Sequence, residues 1–285
     1  MLSKTILRCF MPILSVITGA YNATRCPHFE KSIMSILEQS FSDFEFIICD
    51  DGSTDQTYEQ LLRFAETDGR IKLLKSDKNE GLAATLNKCL AVATGKYVAR
   101  HDCDDFSAKD RFEKQIAYLE AHPAVDILGS AAHLFDESGV WGLESFPREV
   151  KNEDFLFTSP YKHGAVMFRR DALLKANGYR VSKETRRTED YDLFMRMQVF
   201  CKGENLPEPL YDFCEDAAAK GRRKYRYRVD EAKVRAKGFR SLGLMPKGIP
   251  YVVKPLIVGL IPAPLLSRMQ NKRRAAFNRT EEQKK

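Results

Sequence analysis

Between residues 13 and 201, apolar runs of strand length alternate with amphipathic segments of helix length. That alternation builds a largely parallel sheet covered by helices. The runs predict strands at residues 13–18, 44–49, 71–75 and 96–100, with helices between them at about 28–39, 56–67 and 82–94. The third helix repeats Leu82, Leu86 and Leu90 at a four-residue spacing, which marks one buried face. A further helix is expected to open at Ser107, where Asp110 completes a variant capping box, and to carry Phe112, Ile116 and Leu119 on its inner side. Residues 125–135 and 164–168 read as strands separated by a turn at Glu137-Ser138-Gly139, and residues 189–201 as a helix.

Composition makes this a globular chain: 285 residues, 44% hydrophobic, 30% charged and 11% aromatic. Disordered, collagen-like and disulfide-scaffold proteins are excluded on those values. The net charge of +7 conceals a division. Residues 220–285 hold 19 Lys/Arg against 4 Asp/Glu, a balance of +15, which leaves residues 1–219 at −8. The expected organisation is therefore an acidic body over residues 1–215 and a basic, partly apolar helical extension over 216–285, with an anionic partner for the extension. Seven scattered cysteines without a C-x-x-C pair signal neither a disulfide framework nor a zinc site and fit a reducing cytoplasm. Residues 1–20 contain Lys4 and an apolar stretch interrupted by Arg8, and Ile13 to Thr18 reads as a first strand rather than as part of a signal peptide.

Three carboxylate groups fall at a strand end or a helix entrance, where ligands bind in open α/β sheets. In Asp50-Asp51-Gly52-Ser53-Thr54-Asp55, Asp51 is placed to accept from the imino group of a base or from a ribose hydroxyl, while Thr54 and Asp55 also read as a turn and cap. In His101-Asp102-Cys103-Asp104-Asp105, three carboxylates within four residues repel one another unless solvent or a cation offsets them. Such hard oxygen donors suit Mg²⁺ or Mn²⁺ bridging to a diphosphate, although any acidic loop can produce a D-x-D. Thr188-Glu189-Asp190-Tyr191-Asp192 opens a helix, where the dipole alone accounts for Glu189 and where Asp190 is a candidate general base.

In order along residues 13 to about 200, these segments resemble the family-2 glycosyltransferases, the inverting, metal-dependent enzymes of GT-A fold. Besides the three groups, the resemblance rests on Ser15-Val16-Ile17 leading to Tyr21-Asn22, on Ser35 to Glu45, on Asn79-Glu80-Gly81-Leu82, on Gly95-Lys96-Tyr97 and on His163 to Arg169. It implies nucleotide contacts from Tyr21, Asp51, Asp102 and Asp104, metal contacts from Asp104 and Asp105, the base at Asp190, and an acceptor side near Glu189 and His163. It further implies a Mn²⁺ or Mg²⁺ cofactor, a nucleotide-diphosphate sugar donor and a glycan or lipid-linked saccharide acceptor, in cell-surface glycan synthesis of the bacterial type. Two departures stand out. Gly19 removes a side-chain contact to the base that relatives often make, and Gly164-Ala165 replaces the frequent Pro-Ser or Gly-Ser pair.

The tail segment Ile249 to Leu266 contains one charged residue, Lys254, and four prolines, and its longest uncharged run of 13 residues is too short to span a bilayer. With Arg240 and Lys247 before it and Arg268, Lys272, Arg273 and Arg274 after it, the segment fits an anionic membrane interface. Packing on the catalytic body is the other reading. The expected location is cytoplasmic, at the inner face of the plasma membrane. A nucleic-acid-binding role for Arg222 to Arg228 leaves the acidic groups unexplained, and a sugar nucleotidyltransferase would carry a glycine-rich basic loop after its first strand that Gly19 to Asn22 lacks.

Overall fold

The computed structural model describes residues 11–215 and 225–261. Strands β1 (Leu14–Ala20), β2 (Phe44–Asp50), β3 (Ile71–Lys75) and β4 (Tyr97–Arg100) pair in parallel in the order β3-β2-β1-β4. Helices α1 (Phe29–Leu37), α2 (Thr57–Thr67) and α3 (Leu82–Val92) make the crossovers. β2 is buried along its whole length, which explains a continuous apolar run rather than an alternating one. α3 lays Leu86, Cys89 and Leu90 on Ile17, Ile47 and Val98 of one sheet face, while Val16, Phe46 and Ile48 face Ile33, Ile36 and Leu61 on the other. β1, β2 and β3 end together, with Ala20 beside Asp50 and Asp50 beside Lys75, whereas β4 ends earlier, with Arg100 opposite Ile17.

Beyond β4 the sheet becomes mixed. Among the described residues it has nine strands, continuing β4-β8-β6-β9-β5 with β7 hairpinned onto β6. β8 (Met167–Arg169) is antiparallel to β4 and β6, whereas β9 (Gly203–Cys214) is parallel to β6 (Ile127–Asp136). The helix expected at Ser107 starts later, as α4 (Arg111–Ala121). Ser107 instead belongs to β5 (Phe106–Ser107), paired with Tyr211 of β9, and its Oγ accepts from Arg111 Nη1. A long-range strand pairing has overridden a local capping pattern. The turn at Glu137-Ser138 leads into β7 (Gly139–Glu144), a strand that the apolar pattern does not show, with Gly139 at φ 102°. The strand expected at 164–168 begins only at Met167 because His163–Ala165 form a 3₁₀ turn, and the short helix α5 (Arg170–Lys175) follows it.

α6 (Glu189–Gln198) and two C-terminal helices, α7 (Tyr225–Ser241) and α8 (Ile249–Val258), complete the described chain. The charge boundary at 215 is not a boundary between cores. Val234, Phe239, Leu242 and Leu244 share one buried cluster with Leu193, Phe194 and Met195 of α6. Gly238 permits the approach: a Cβ there would meet Met195 Sδ at 2.1 Å. Arg235, 4% exposed, donates to the Leu156 carbonyl at 2.9 Å and to the Phe157 carbonyl at 3.1 Å, and pairs with Glu231 at 3.0 Å. Removing that guanidinium leaves the Leu156 carbonyl unsatisfied and the Phe157 carbonyl with only a 3.5 Å contact to Lys254 Nζ, so Arg235→Ala is expected to cost about 2–4 kcal/mol of stability, read as a lower urea midpoint.

Candidate functional site

The crevice begins where β1 and β2 end. Asp51 donates its N–H to the Ala20 carbonyl at 2.8 Å, and its carboxylate accepts the N–H groups of Glu80 at 2.8 Å and Gly81 at 2.9 Å. One side chain thereby fixes the loop entering α3, where Gly81 adopts φ 93°. Asp50 is wholly buried and its carboxylate accepts from the Ser53 N–H. Asp55 accepts from Thr24 Oγ1 at 2.6 Å and from the Thr57 N–H at 3.1 Å, while Asn22 accepts from the Thr54 N–H at 2.9 Å. The β2–α2 loop is thus tied to the β1–α1 loop that carries Tyr21. A cavity of about 460 Å³ opens here, lined by Tyr21, Asp51, Gly81, Thr185 and Glu189, among others. Gly19 sits in its wall because α3 passes close by: a Cβ would lie 3.0 Å from Thr85 Cγ2 and 3.1 Å from Leu82 Cδ1.

A second cavity, of about 980 Å³, continues from the first and is lined by Asp102, Asp104, His28 and Arg25. Gly19, Tyr21 and Arg187 line both. Asp104 is exposed, and Asp102 is held from below by Arg100, a wholly buried residue whose Nη2 donates to Asp102 Oδ1. Burial opposes the Arg100 charge, but the Asp102 carboxylate outweighs it and raises the guanidinium's pKa. Asp105 departs from its expected place. It is 1% exposed and accepts the Cys214 N–H at 2.7 Å, turned toward β9 instead of into the cavity. Burial, then the charges of Asp104 and Asp102, push its carboxyl well above the usual range. It fastens the acidic loop to the sheet and is not placed to hold a metal.

Among the described residues no cluster of three or more acidic, His or Cys side chains is arranged around a metal position. Two cavity-facing carboxylates fit a cation of the Mg²⁺ or Mn²⁺ type, which takes one or two protein carboxylates and fills its other positions with substrate phosphate and water.

Glu189 and Asp190 begin α6 after Thr188. Burial, reinforced by the Asp190 charge, pushes Glu189 up to about 7. Asp190 is also raised, chiefly by burial, with Asp102 adding and Lys162 opposing. Glu189 lines the first cavity, whereas Asp190, beside it, lines neither of the two. Asp192, which carries no sequence assignment, is structural: it binds Arg196 at 2.8 Å and Arg180 at 3.1 Å and so sets the start of α6. His163 also lines neither cavity. Its Nε2 meets the Tyr179 hydroxyl at 2.9 Å, its ring packs edge-on against Phe194, and burial holds its pKa well below the usual value. Its ring is thereby held by packing within the core beneath α6. Sequence reasoning missed Arg100, a charged residue closing an apolar strand, and also Arg187, which has no local pattern to reveal it, while Tyr227 falls in the basic stretch Arg222 to Arg228 without a sign that it reaches the crevice.

A mixed sheet of this topology, with carboxylates at its strand tips, is that of the GT-A fold. S. aureus TarS (residues 1–349, with UDP-GlcNAc) superposes with a TM-score of 0.68 at 18% identity, covering 88% of this chain and 76% of that one. The mannosyltransferase PcManGT of Pyrobaculum calidifontis, in complex with GDP-Man and Mn²⁺, gives 0.58 at 19% identity, covering 94% and 81%. Residues 15–176 match the family described as Glycosyl transferase family 2. The putative glycosyltransferase EpsE of Bacillus subtilis is 40% identical over 264 residues, 92% of this chain and 94% of its own, and the amylovoran biosynthesis glycosyltransferase AmsE of Erwinia amylovora is 31% identical over 203 residues, 70% and 74%. The chain belongs to glycosyl transferase family 2.

Proposed function

We propose that this glycosyltransferase moves a sugar from a nucleoside-diphosphate donor to a hydroxyl of a growing polysaccharide, inverting the anomeric carbon. The observation that carries the reading is the continuity of the Asp51 cavity with the Asp102–Asp104 cavity, with Glu189 and Asp190 at the entrance of α6. Base and ribose fit the first half, the diphosphate crosses between the halves, and the sugar and acceptor fit the second. Asp190 takes the proton of the acceptor hydroxyl as its oxygen attacks the anomeric carbon and the bond to the diphosphate breaks on the opposite face. Asp104, with Asp102, would hold a divalent cation, which when bound offsets charge on the departing diphosphate. The donor class is supported by neighbours bound to UDP-GlcNAc and GDP-Man, and the acceptor class by relatives that include AmsE and the O-antigen biosynthesis glycosyltransferase WbnJ of Escherichia coli. Neither a nucleotidyltransferase nor a nucleic-acid-binding role is favoured by these likenesses. The test is a screen of nucleotide sugars for release of nucleoside diphosphate by the purified protein, with and without added Mn²⁺ or Mg²⁺. No release with any sugar nucleotide and any polysaccharide acceptor would refute the reading.

The acceptor is read as lipid-linked and the protein as peripheral at the inner face of the plasma membrane, on the evidence of α8. One side of the helix packs inward, with Pro255 buried and Tyr251 against Phe157 at 4.8 Å between ring centroids. The other presents Ile249, Val253 and Ile257 at 49%, 39% and 59% exposure, four residues apart, and Leu260 just beyond at 73%. Among the described residues no helix is long and apolar enough to cross a membrane. An apolar stripe with Lys247 and Lys254 beside it suits an anionic lipid interface, to which each cation near the surface adds about 1 kcal/mol. Residues 262–285, with the remaining tail cations, lie outside the described residues. Ile257→Glu with Leu260→Glu is expected to reduce co-sedimentation with anionic vesicles at least fivefold. Equal recovery of both proteins would remove the membrane reading.

A further inference from the structure

We propose that Arg187 is the residue that grips the donor diphosphate, an assignment that rests on the donor reading above and extends it. A nucleoside diphosphate lying along the crevice must pass where the two cavities meet. The side chains there belong to Tyr21 and Arg187, with Gly19 between them, so Arg187 is the cation at the junction. It is exposed; its backbone N–H bonds the Glu189 carboxylate, while its guanidinium makes no ion pair or hydrogen bond with the described residues.

Its backbone is the second observation. Arg187 has φ 76°, in the left-handed region that non-glycine residues seldom enter. Such a conformation costs on the order of 1 kcal/mol and persists only where the surroundings impose it. Here they do so from both sides. Thr185 is buried, its Oγ1 donating to the Arg180 carbonyl at 2.7 Å, and its own carbonyl accepts the Thr188 N–H at 2.9 Å. Glu184 pairs with Lys237 at 2.6 Å and with Lys233 at 3.6 Å, both on α7. Asp192 then anchors the following turn through Arg180. The loop is strained, pinned, and carries a free guanidinium into the junction.

Charge explains why a cation is needed there. Arg100 already compensates Asp102, so a divalent cation at Asp104 retains about one positive charge to set against the two or three negative charges of a diphosphate. The remainder calls for a further cation, and a planar guanidinium binds two phosphate oxygens at once. Arg186 and Tyr227 line the first cavity beside Arg187, and the Tyr227 hydroxyl is held below its ordinary pKa by its bond to Arg226, with Arg186 and Arg187 adding. That wall is therefore positive across the crevice from an acidic floor.

The test separates charge from backbone. UDP, GDP and the matching monophosphates are titrated calorimetrically into the full chain with Mg²⁺ present, using wild type, Arg187→Gly, Arg187→Lys and the loop control Lys183→Ala. Glycine accepts the left-handed conformation without strain, so Arg187→Gly is expected to melt no lower than wild type. It should nonetheless bind the preferred nucleoside diphosphate about tenfold to a hundredfold more weakly and the monophosphate within about twofold of wild type, the loss expected for a charge-assisted contact. Arg187→Lys should recover part of the loss, and Lys183→Ala should show none. Unchanged diphosphate affinity in Arg187→Gly, or an equal loss in Lys183→Ala, overturns the assignment and leaves the donor reading standing. Wild-type protein that binds neither nucleotide overturns the donor reading and this assignment with it.

Discussion

Asp190→Asn is expected to lower turnover by about 10²-fold or more while leaving nucleoside diphosphate affinity within about twofold, because an amide keeps the shape but cannot accept the acceptor's proton. The neighbouring carboxylate makes the experiment more informative. Glu189 faces the donor cavity and is pushed up to about 7, partly by the Asp190 charge. A base works only when deprotonated, and burial raises the Asp190 carboxyl above its usual range, so kcat/KM should climb with pH as that carboxyl ionises and then level. Neutralising Asp190 removes the like charge and should move the Glu189 titration to lower pH. Glu189→Gln should cost less in turnover, since it leaves the Asp190 carboxylate in place. If Glu189→Gln proves the more damaging change, the proton acceptor is Glu189.

The second large effect concerns the acidic loop, where adjacent carboxylates are expected to behave oppositely. Asp104→Asn should abolish metal-dependent release of nucleoside diphosphate, and the melting temperature should hold or rise because Asp104 repels the buried Asp105. Asp105→Ala should instead lose about 1–3 kcal/mol of stability by orphaning the Cys214 N–H, with any activity change following from a loosened loop. A titration of Mn²⁺ against both variants, beside thermal melts, reads the two outcomes. Full activity in excess chelator would remove the cation from the mechanism altogether.

The same pair shows what the sequence could and could not convey. A run of Asp102 to Asp105 at a strand tip announces an acidic site, but whether each carboxylate faces the cavity or β9 depends on the backbone course through the loop and on a strand a hundred residues away. β1 to β4 and their crossovers were legible because β1, β2 and β4 are apolar runs buried within the sheet, the edge strand β3 keeps a short apolar core between its lysines, and each helix has a periodic face. β9 was illegible for a local reason. Pro207 and Pro209 argue against a strand, yet the register slips between Ser130, Ala131 and Ala132 accommodate them as irregularities. β5 has only two residues and exists through its pairing with β9. His163 stood in a segment of the right pattern, yet whether its ring turns to the cavity or to Tyr179 and Phe194 is settled by packing alone. Arg187 gave no signal at all, since its importance lies in a dihedral angle.

The bond between Glu184 and the lysines of α7 bears on how far this enzyme can be treated as modular. The charge division at 215 invites tail exchange: a catalytic half from one relative grafted to the tail of another to redirect it to a new surface. Such chimaeras would take more than an address with the tail. Lys233 and Lys237 hold the 180–188 loop, and Tyr227 lines the first cavity, so a foreign α7 would reshape the wall of the proposed donor site. Sugar preference would then travel in part with a segment that the family match, which ends at residue 176, does not cover.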